Sequence, residues 1–335
     1  MTLPQTQKQW LINGNPRGRA LSEDDFLLQE APLQALQPGQ VRVRVEYLGF
    51  DPSQKGQIEH IEGYSRGAGV GDVMGARGIG EVVESAAEQM PIGTKVIGPI
   101  GWQQYANLGA EVVEQIPADG PTTAWLGPLG GTGLTAYFGL LRIGRPEPGD
   151  TVVVSGAAGA VGSVAGQIAK IMGCRTIGIA GGAQKCQWLV DEVGYDAAID
   201  YKSERIKTRL GELCPDGVDV FFDNVGGAAL NDTLARIAHG ARVVICGGIS
   251  RYEQESLPPD PPNYFNMVFR EATMQGFLLT SYTSEFAQAQ RRILSWIDSG
   301  QLVYKEDVQA GFENIPKTLL RLFRGENFGK QLLRV

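Results

Sequence analysis

One short stretch of the chain decides its fold, and it reads Val152-Val153-Val154-Ser155-Gly156-Ala157-Ala158-Gly159-Ala160-Val161-Gly162. The apolar β-branched run predicts a buried strand, and the glycines predict a tight turn. The amphipathic segment at residues 163–172 predicts a helix. In such a strand–turn–helix unit, Gly156 permits the turn, Gly159 lets the backbone approach a pyrophosphate, and Gly162 lets the helix pack on the strand. The stretch therefore favours a dinucleotide site at the helix amino terminus over an ordinary strand–helix turn.

The second predicted strand bears on which dinucleotide binds. It reads Arg175-Thr176-Ile177-Gly178-Ile179-Ala180-Gly181-Gly182 and has no acidic residue at its end. NAD sites usually have Asp or Glu there, which holds the ribose hydroxyls. Lys185 follows closely and would attract a 2′-phosphate, although a lysine at a helix start can also simply be solvated. The sequence therefore favours NADPH over NADH.

Composition and charge narrow the class of protein. The chain has 335 residues, a net charge of −7 and 43% hydrophobic residues, which is typical of a soluble protein with two domains. It has no long basic run, so we expect no nucleic-acid partner. It has no stretch of about 18 apolar residues that could span a membrane. Residues 1–19 lack a signal-peptide core, so we expect a cytoplasmic protein.

Cysteine and histidine usage argues against a metal site. The four cysteines are Cys174, Cys186, Cys214 and Cys246. They are widely spaced and form no Cys-x-x-Cys pair, which fits neither a zinc site nor a disulfide framework. Free thiols in a reducing compartment are the simpler interpretation. We interpret His60 and His239, the two histidines, as structural or surface residues, and we expect no bound metal.

The pattern of predicted elements changes along the chain. The first third is rich in short strands, at residues 41–45, 79–85 and 94–98, which is typical of a compact β-barrel or sandwich. From about residue 132, strands alternate with helices, and this predicts an α/β domain with a doubly wound, mostly parallel sheet. The strands predicted there are Thr151–Ser155, Arg175–Ala180, Val218–Asn224, Ala241–Gly247 and Thr273–Thr280. The tail, residues 304–335, contains a helix and a strand that could return to the first domain.

Five stretches carry a family resemblance over nearly the whole chain. They are Gly133-Leu134-Thr135-Ala136-Tyr137-Phe138-Gly139-Leu140, Ser155–Gly162 with Gln167-Ile168-Ala169-Lys170, Phe222-Asp223-Asn224-Val225-Gly226-Gly227, Cys246-Gly247-Gly248-Ile249-Ser250, and Asn327-Phe328-Gly329-Lys330. In this order they resemble the medium-chain dehydrogenase/reductase superfamily. More narrowly, the chain resembles its zinc-free group of leukotriene B4 dehydrogenases, prostaglandin reductases and alkenal double-bond reductases, which includes bacterial curcumin reductases.

The resemblance implies a domain organisation and an assembly. It implies a GroES-like β-barrel substrate domain at residues 1–128, completed by residues 300–335. It implies a Rossmann domain, a doubly wound parallel sheet that binds NADPH, at residues 129–299. Relatives commonly pair their last Rossmann strands across a twofold axis. Residues 274–280 are apolar and would otherwise leave an edge exposed, so we expect a homodimer joined there.

The resemblance also implies cofactor contacts residue by residue. Those at the pyrophosphate are Ala158, Gly159, Val161 and Gly162. Those towards the 2′-phosphate are Gly182, Lys185 and Tyr201. Those around the ribose and nicotinamide are Asn224, Cys246, Gly247, Ile249, Phe277, Leu278, Leu279 and Asn327.

The implied activity is NADPH-dependent reduction of a carbon–carbon double bond conjugated to a carbonyl, by hydride transfer to the β-carbon. Tyr252 is the implied donor to the carbonyl oxygen, where it would stabilise the developing charge, and Tyr64 is the fallback donor. A quinone oxidoreductase on the same fold and a non-catalytic NADPH-binding protein stay open as alternatives. A zinc alcohol dehydrogenase would need metal ligands that are missing, and a short-chain reductase would need a Tyr-x-x-x-Lys motif, which the sequence lacks.

Two departures from the family pattern concern the substrate. Ser53 stands where relatives often have an aromatic residue, and Gly131 stands where they tend to have methionine. Both changes remove bulk, so the size and shape of the substrate stay open.

Overall fold

The computed structural model describes residues 3–59, 67–117, 121–252 and 261–335. The chain forms two compact units. The first consists of Met1–Leu126 and Glu306–Val335, and the second of Gly127–Lys305. The chain therefore passes between the units twice, and its carboxyl-terminal segment belongs to the first unit.

The first unit is built mainly from β-strands. Two of them, β1 (Thr6–Ile12) and β2 (Phe26–Pro32), form an antiparallel ribbon. The other seven are β3 (Gln40–Gly49), β4 (Gly78–Ser85), β5 (Lys95–Gly98), β6 (Tyr105–Gly109), β7 (Glu114–Gln115), β14 (Glu306–Ala310) and β15 (Lys330–Arg334). They form one sheet in the order β14-β15-β3-β4-β5-β7, with β6 paired to β3.

Apolar alternation explains how this sheet forms. Val41, Val43 and Val45 of β3 are all buried against the core of the unit, as expected for a strand with one face in the core. The short helix α1 (Ser53–Ile58) follows β3, and α9 (Ile315–Phe323) precedes β15. Because β15 pairs antiparallel with β3, the tail of the chain completes the sheet.

The second unit has a six-stranded sheet flanked by helices. Its strands are β8 (Thr151–Ser155), β9 (Arg175–Ala180), β10 (Ala197–Asp200), β11 (Val218–Asp223), β12 (Ile237–Ile245) and β13 (Thr273–Gly276). All neighbours are parallel, in the order β10-β9-β8-β11-β12-β13. This order confirms the predicted doubly wound sheet. The strand order reverses between β8 and β11, and ligands of such sheets bind at the carboxyl ends of the strands beside that point.

The helices of the second unit precede, connect and follow these strands. They are α2 (Gly131–Phe138), α3 (Ala160–Ile171), α4 (Ala183–Asp191), α5 (Ile206–Leu213), α6 (Gly227–Leu234), α7 (Asn266–Phe269) and α8 (Phe286–Asp298). A π-helical segment, Gly139–Gly144, continues α2. Throughout the described ranges, no helix combines the length and the apolar character needed to cross a membrane.

One predicted strand is wrong in its second half. A strand over Thr273–Thr280 was expected, but β13 ends at Gly276, and Leu279–Glu285 form a 3₁₀ helix. The ring of Tyr282 stacks on Phe138 with centroids 4.7 Å apart. This contact holds the segment against α2, so it cannot continue along the sheet edge.

Candidate functional site

The three glycines of the turn between β8 and α3 allow either its left-handed backbone or its close packing. Gly156 has φ +59°, in the left-handed region that favours glycine. A Cβ at Gly162 would lie 2.4 Å from the carbonyl oxygen of Gly156 and 2.7 Å from Cα of Ala157. A Cβ at Gly159 would lie 3.2 Å from the same oxygen. The glycines therefore let α3 begin directly against the end of β8.

The amino terminus of α3 offers backbone donors. In an α-helix each N–H donates to the carbonyl four residues earlier. The amides of Ala160, Val161 and Gly162, at the start of α3, therefore have no acceptor within the helix. Pairing starts when the N–H of Ser163 donates to the carbonyl of Gly159 at 3.0 Å. Such unpaired amides, together with the partial positive charge of the helix end, bind phosphate groups.

Tyr195 supports this helix from its buried side. Its hydroxyl donates to the carbonyl of Gly162 at 2.7 Å. A Cβ at Gly166 would lie only 2.0 Å from the same hydroxyl oxygen, so the ring fills the space that a glycine leaves in α3. Burial raises the pKa of Tyr195, which keeps the hydroxyl protonated as a donor.

Ser155 and Asp223 join the ends of the two central strands. The hydroxyl of Ser155 donates to Oδ1 of Asp223 at 2.6 Å and accepts the N–H of Asn224 at 2.8 Å. Nδ2 of Asn224 donates to the Ser155 carbonyl at 2.7 Å. The amides of Val225 and Gly226 each donate to Oδ1 of Asp223 at 3.0 Å. Burial of the Asp223 side chain raises its pKa above the ordinary value, and these donors offset only part of that rise.

Ser155 and Asp223 were not predicted as site residues. The signal that could have identified them is their position, since each ends a central strand beside the switch point. Their hydrogen bonds fix the predicted Asn224 next to the glycine-rich turn.

Backbone bonds bring the next predicted residues to the same edge of the sheet. The carbonyl of Asp223 accepts the amide of Cys246 at 2.9 Å and that of Gly247 at 3.1 Å. The carbonyl of Asn224 accepts the amide of Ile249 at 3.4 Å. Four of the residues predicted around the ribose and nicotinamide therefore lie together at the carboxyl ends of β11 and β12.

The residues predicted for the 2′-phosphate lie at the carboxyl ends of β9 and β10. Tyr201 directly follows β10, and its N–H donates to the carbonyl of Ala180 at 3.1 Å. Its hydroxyl lies 2.8 Å from the position of a Cβ on Gly181. The N–H of Lys185, in the first turn of α4, donates to the carbonyl of Gly182 at 3.1 Å. The structure thus brings Gly182, Lys185 and Tyr201 together.

An acidic residue is present at this turn, although the sequence shows none at the end of β9. The neighbouring strand β10 supplies it as Asp200, whose Oδ1 accepts the N–H of Gly182 at 2.7 Å and that of Lys202 at 3.0 Å. Its Oδ2 accepts the hydroxyl of Ser203 at 3.0 Å. The bond from Gly182 is the main cause that holds the pKa of Asp200 below its ordinary value.

Phe277, Leu278 and Leu279, the predicted nicotinamide contacts that follow β13, do not share one environment. The ring of Phe277 lies 2.6 Å from the position of a Cβ on Gly139, so it packs against the start of the π-helical segment. The side chain of Leu279 lies 4.0 Å from the position of a Cβ on Gly131. Leu278 is exposed.

The remaining predicted residues are not brought together within one unit. Tyr252 is half-buried in the second unit, and its N–H donates to the carbonyl of Ile249 at 3.2 Å. Asn327 belongs to the first unit, where its Nδ2 donates to the carbonyl of Gly329 at 3.0 Å. Tyr64 lies outside the described residues.

A zinc site does not fit the part of the chain that the structure describes. No group of three or more His, Cys, Asp or Glu residues there could hold a metal ion. Burial raises the pKa of Cys174, Cys186 and Cys214 to about 11 and that of Cys246 to about 12. These thiols are therefore protonated at neutral pH.

Comparisons with known proteins extend this description. The family model "Zinc-binding dehydrogenase" matches residues 160–295, and "N-terminal domain of oxidoreductase" matches residues 8–116. The chain is 41% identical over 334 residues to the protein YfmJ of Bacillus subtilis (strain 168), covering 98% of each chain. It is 34% identical over 337 residues to the NADPH-dependent curcumin reductase of Escherichia coli (strain K12), covering 99% of this chain and 97% of the relative.

The chain is also similar to a solved structure over nearly its whole length. CurA from Vibrio vulnificus in complex with NADPH has a TM-score of 0.93 and 34% identity, covering 98% of this chain and 99% of CurA. Prostaglandin and 2-alkenal reductases also match nearly the whole chain. The chain therefore belongs to the medium-chain dehydrogenase/reductase superfamily, in its zinc-free group of curcumin, prostaglandin and alkenal double-bond reductases.

Proposed function

We propose that the protein reduces the carbon–carbon double bond of α,β-unsaturated ketones and aldehydes, with NADPH as the hydride source and without a metal. One observation carries this proposal. The chain matches an NADPH-dependent curcumin reductase and an NADP-dependent 2-alkenal reductase over nearly its whole length. A 2-alkenal has a double bond conjugated to its carbonyl, which defines the substrate class.

The residues of the second unit fit the cofactor. Because Gly159 and Gly162 lack a Cβ that would press on the Gly156 carbonyl oxygen, α3 begins directly against the end of β8. The pyrophosphate would approach the amides at this helix start, beside Ala158 and Val161. Gly182, Lys185 and Tyr201 would hold the 2′-phosphate. The residues of the second unit that would surround the ribose and nicotinamide are Asn224, Cys246, Gly247, Ile249, Phe277, Leu278 and Leu279. When bound, NADPH supplies the hydride that reaches the β-carbon of the substrate.

Tyr252 is the proposed donor to the substrate. Its hydroxyl donates a hydrogen bond to the carbonyl oxygen, on which negative charge develops as the β-carbon accepts the hydride. The preceding 3₁₀ turn, Ile249–Arg251, is fixed because the N–H and hydroxyl of Ser250 both donate to the carbonyl of Val225, at 3.1 and 2.6 Å. Tyr64 is the alternative donor. A proton then reaches the α-carbon from water or a nearby hydroxyl.

A substrate panel tests this function. Purified protein and NADPH are mixed with alkenals, enones, diarylheptanoids or quinones, and NADPH absorbance and the products are followed. We expect NADPH oxidation with the enones and alkenals, and saturated carbonyl products. Turnover of quinones alone would instead indicate a quinone oxidoreductase, and no turnover with any compound would indicate a non-catalytic NADPH-binding protein.

We further propose a homodimer in which β13 pairs with β13 of a second copy. This strand lies at the edge of the parallel sheet, and all four of its residues are exposed. Exposed apolar side chains in this strand and in the chain on either side of it include Phe265, Val268, Phe269, Met274 and Leu278. An unpaired apolar edge promotes aggregation, and twofold pairing would cover both edges. A monomeric mass by light scattering at micromolar concentration would contradict the dimer.

We also propose that the protein resides in the cytoplasm. Its four cysteines are free, and free buried thiols are typical of a reducing compartment. Fractionation of cells that produce the native protein tests this, and recovery in an oxidising compartment would contradict it.

A further inference from the structure

We propose that Asp200 is a cofactor-specificity residue, whose carboxylate holds the Gly181–Gly182 turn in place while its charge limits how tightly the 2′-phosphate binds. The proposal rests on the proposed NADPH function, because it assigns the 2′-phosphate to the residues around this turn.

The carboxylate of Asp200 ties two neighbouring strands together at their carboxyl ends. Its Oδ1 accepts the amide of Gly182, which follows β9, and that of Lys202, which follows β10. Gly182 has φ +102° and directly precedes α4. Without an acceptor at Oδ1, the turn between β9 and α4 would lose the bond that fixes it to β10.

The proposed phosphate contacts all depend on this turn. Tyr201 is the next residue after Asp200, and its hydroxyl lies beside Gly181. The amide of Lys185 is bonded to the carbonyl of Gly182. Moving the turn would therefore move both groups that are proposed to approach the 2′-phosphate.

The hydrogen bonds of the Asp200 carboxylate support binding of the 2′-phosphate, whereas its negative charge weakens that binding. Three donors and the nearby cationic Lys202 hold the pKa of Asp200 below its ordinary value, so the side chain is ionised at neutral pH. A carboxylate close to a phosphate repels it. Because Asp200 is partly exposed, solvent and salt screen this repulsion, and its effect on affinity is modest. NADH lacks the 2′-phosphate and does not experience the repulsion.

An isosteric substitution separates the two roles. In Asp200→Asn, the side-chain oxygen can still accept both amides, and the new NH₂ group can donate to the hydroxyl of Ser203, so the variant removes the charge and keeps the bonds. Asp200→Ala removes the bonds as well. Asp196→Asn is the matched control, because it removes one acidic charge at the opposite end of β9, where Asp196 accepts the amide of Thr176 at 2.7 Å.

The experiment measures affinities by isothermal titration for NADPH, NADH, adenosine 2′,5′-bisphosphate and AMP. We expect Asp200→Asn to bind NADPH and the bisphosphate about two- to fivefold more tightly, with NADH and AMP unchanged and with the gain falling as salt is added. Asp196→Asn should leave all four affinities unchanged. Asp200→Ala should bind NADPH less tightly than Asp200→Asn does, because it removes the same charge and also the bonds to Gly182 and Lys202.

Three results would overturn the inference, and the last of them can be told from the other two. If the unmodified protein prefers NADPH but Asp200→Asn binds it no more tightly, or if its affinities for NADPH and NADH change equally, Asp200 has only a structural role. If the unmodified protein binds NADPH and NADH equally, the proposed cofactor assignment fails and this inference fails with it.

Discussion

Replacing Gly162 with alanine tests whether the turn between β8 and α3 is the cofactor cradle. The new Cβ would lie 2.4 Å from the Gly156 oxygen, whereas ordinary contacts begin at 3.4 Å, so the turn and the helix start must separate by about 1 Å (3.4 − 2.4). Overpacking of this kind costs roughly 1–3 kcal/mol of unfolding free energy. The better helix propensity of alanine offsets up to about 1 kcal/mol of that cost.

The same shift should weaken cofactor binding more than it weakens the fold. A displacement of about 1 Å takes a backbone amide out of hydrogen-bond range of a phosphate oxygen. Losing one hydrogen bond to a charged group costs about 1.5–3 kcal/mol, which is about a ten- to hundredfold loss of NADPH affinity. Fluorescence titration with NADPH measures the affinity, and thermal unfolding of the cofactor-free protein measures the stability.

A matched glycine-to-alanine change provides the control. Gly131 also begins a helix, but the nearest atom to its added Cβ is 4.0 Å away, on Leu279. Gly131→Ala should therefore leave both the NADPH affinity and the unfolding temperature close to those of the unmodified protein. If Gly162→Ala binds NADPH as tightly as the unmodified protein, the turn is not the cofactor cradle.

Three further predictions follow from the site. Lys185→Ala should weaken NADPH binding about ten- to hundredfold and NADH binding much less; equal affinity of the unmodified protein for both cofactors would contradict this. Tyr252→Phe should keep NADPH binding and lower turnover of an enone about a hundred- to a thousandfold, measured beside Tyr64→Phe. Unchanged turnover in Tyr252→Phe would move the donor role to Tyr64 or to water. Chelators should leave activity unchanged, and loss of activity together with one zinc ion per chain would refute metal independence.

Local sequence signals were sufficient for the glycine-rich unit. The β-branched run at residues 152–154 and the three glycines act on neighbouring residues, and the structure places β8 at Thr151–Ser155. Helix α3 begins at Ala160, three residues before the predicted segment 163–172. The order of the parallel strands also agrees with the predicted alternation, because strands that alternate with helices have few ways to pack.

The acidic residues of the site could not be predicted in the same way. Asp223 is bonded to Ser155, 68 residues earlier, and Asp200 to Gly182, 18 residues earlier. Both bonds exist only because the strand order makes β11 a neighbour of β8 and β10 a neighbour of β9. The strand that supplies Asp200 was itself not predicted, since Ala197–Asp200 has only four residues and a single β-branched one.

The central claim is that hydride from NADPH reaches the β-carbon of an enone, and the position of a deuterium label tests it most directly. The protein is incubated with an enone and NADPH that is deuterated at the transferable position of the nicotinamide, and the product is examined by NMR and mass spectrometry. We predict one deuterium on the β-carbon of a saturated ketone. Deuterium on the carbinol carbon of an allylic alcohol, or no deuterium transfer to the enone, would contradict the account.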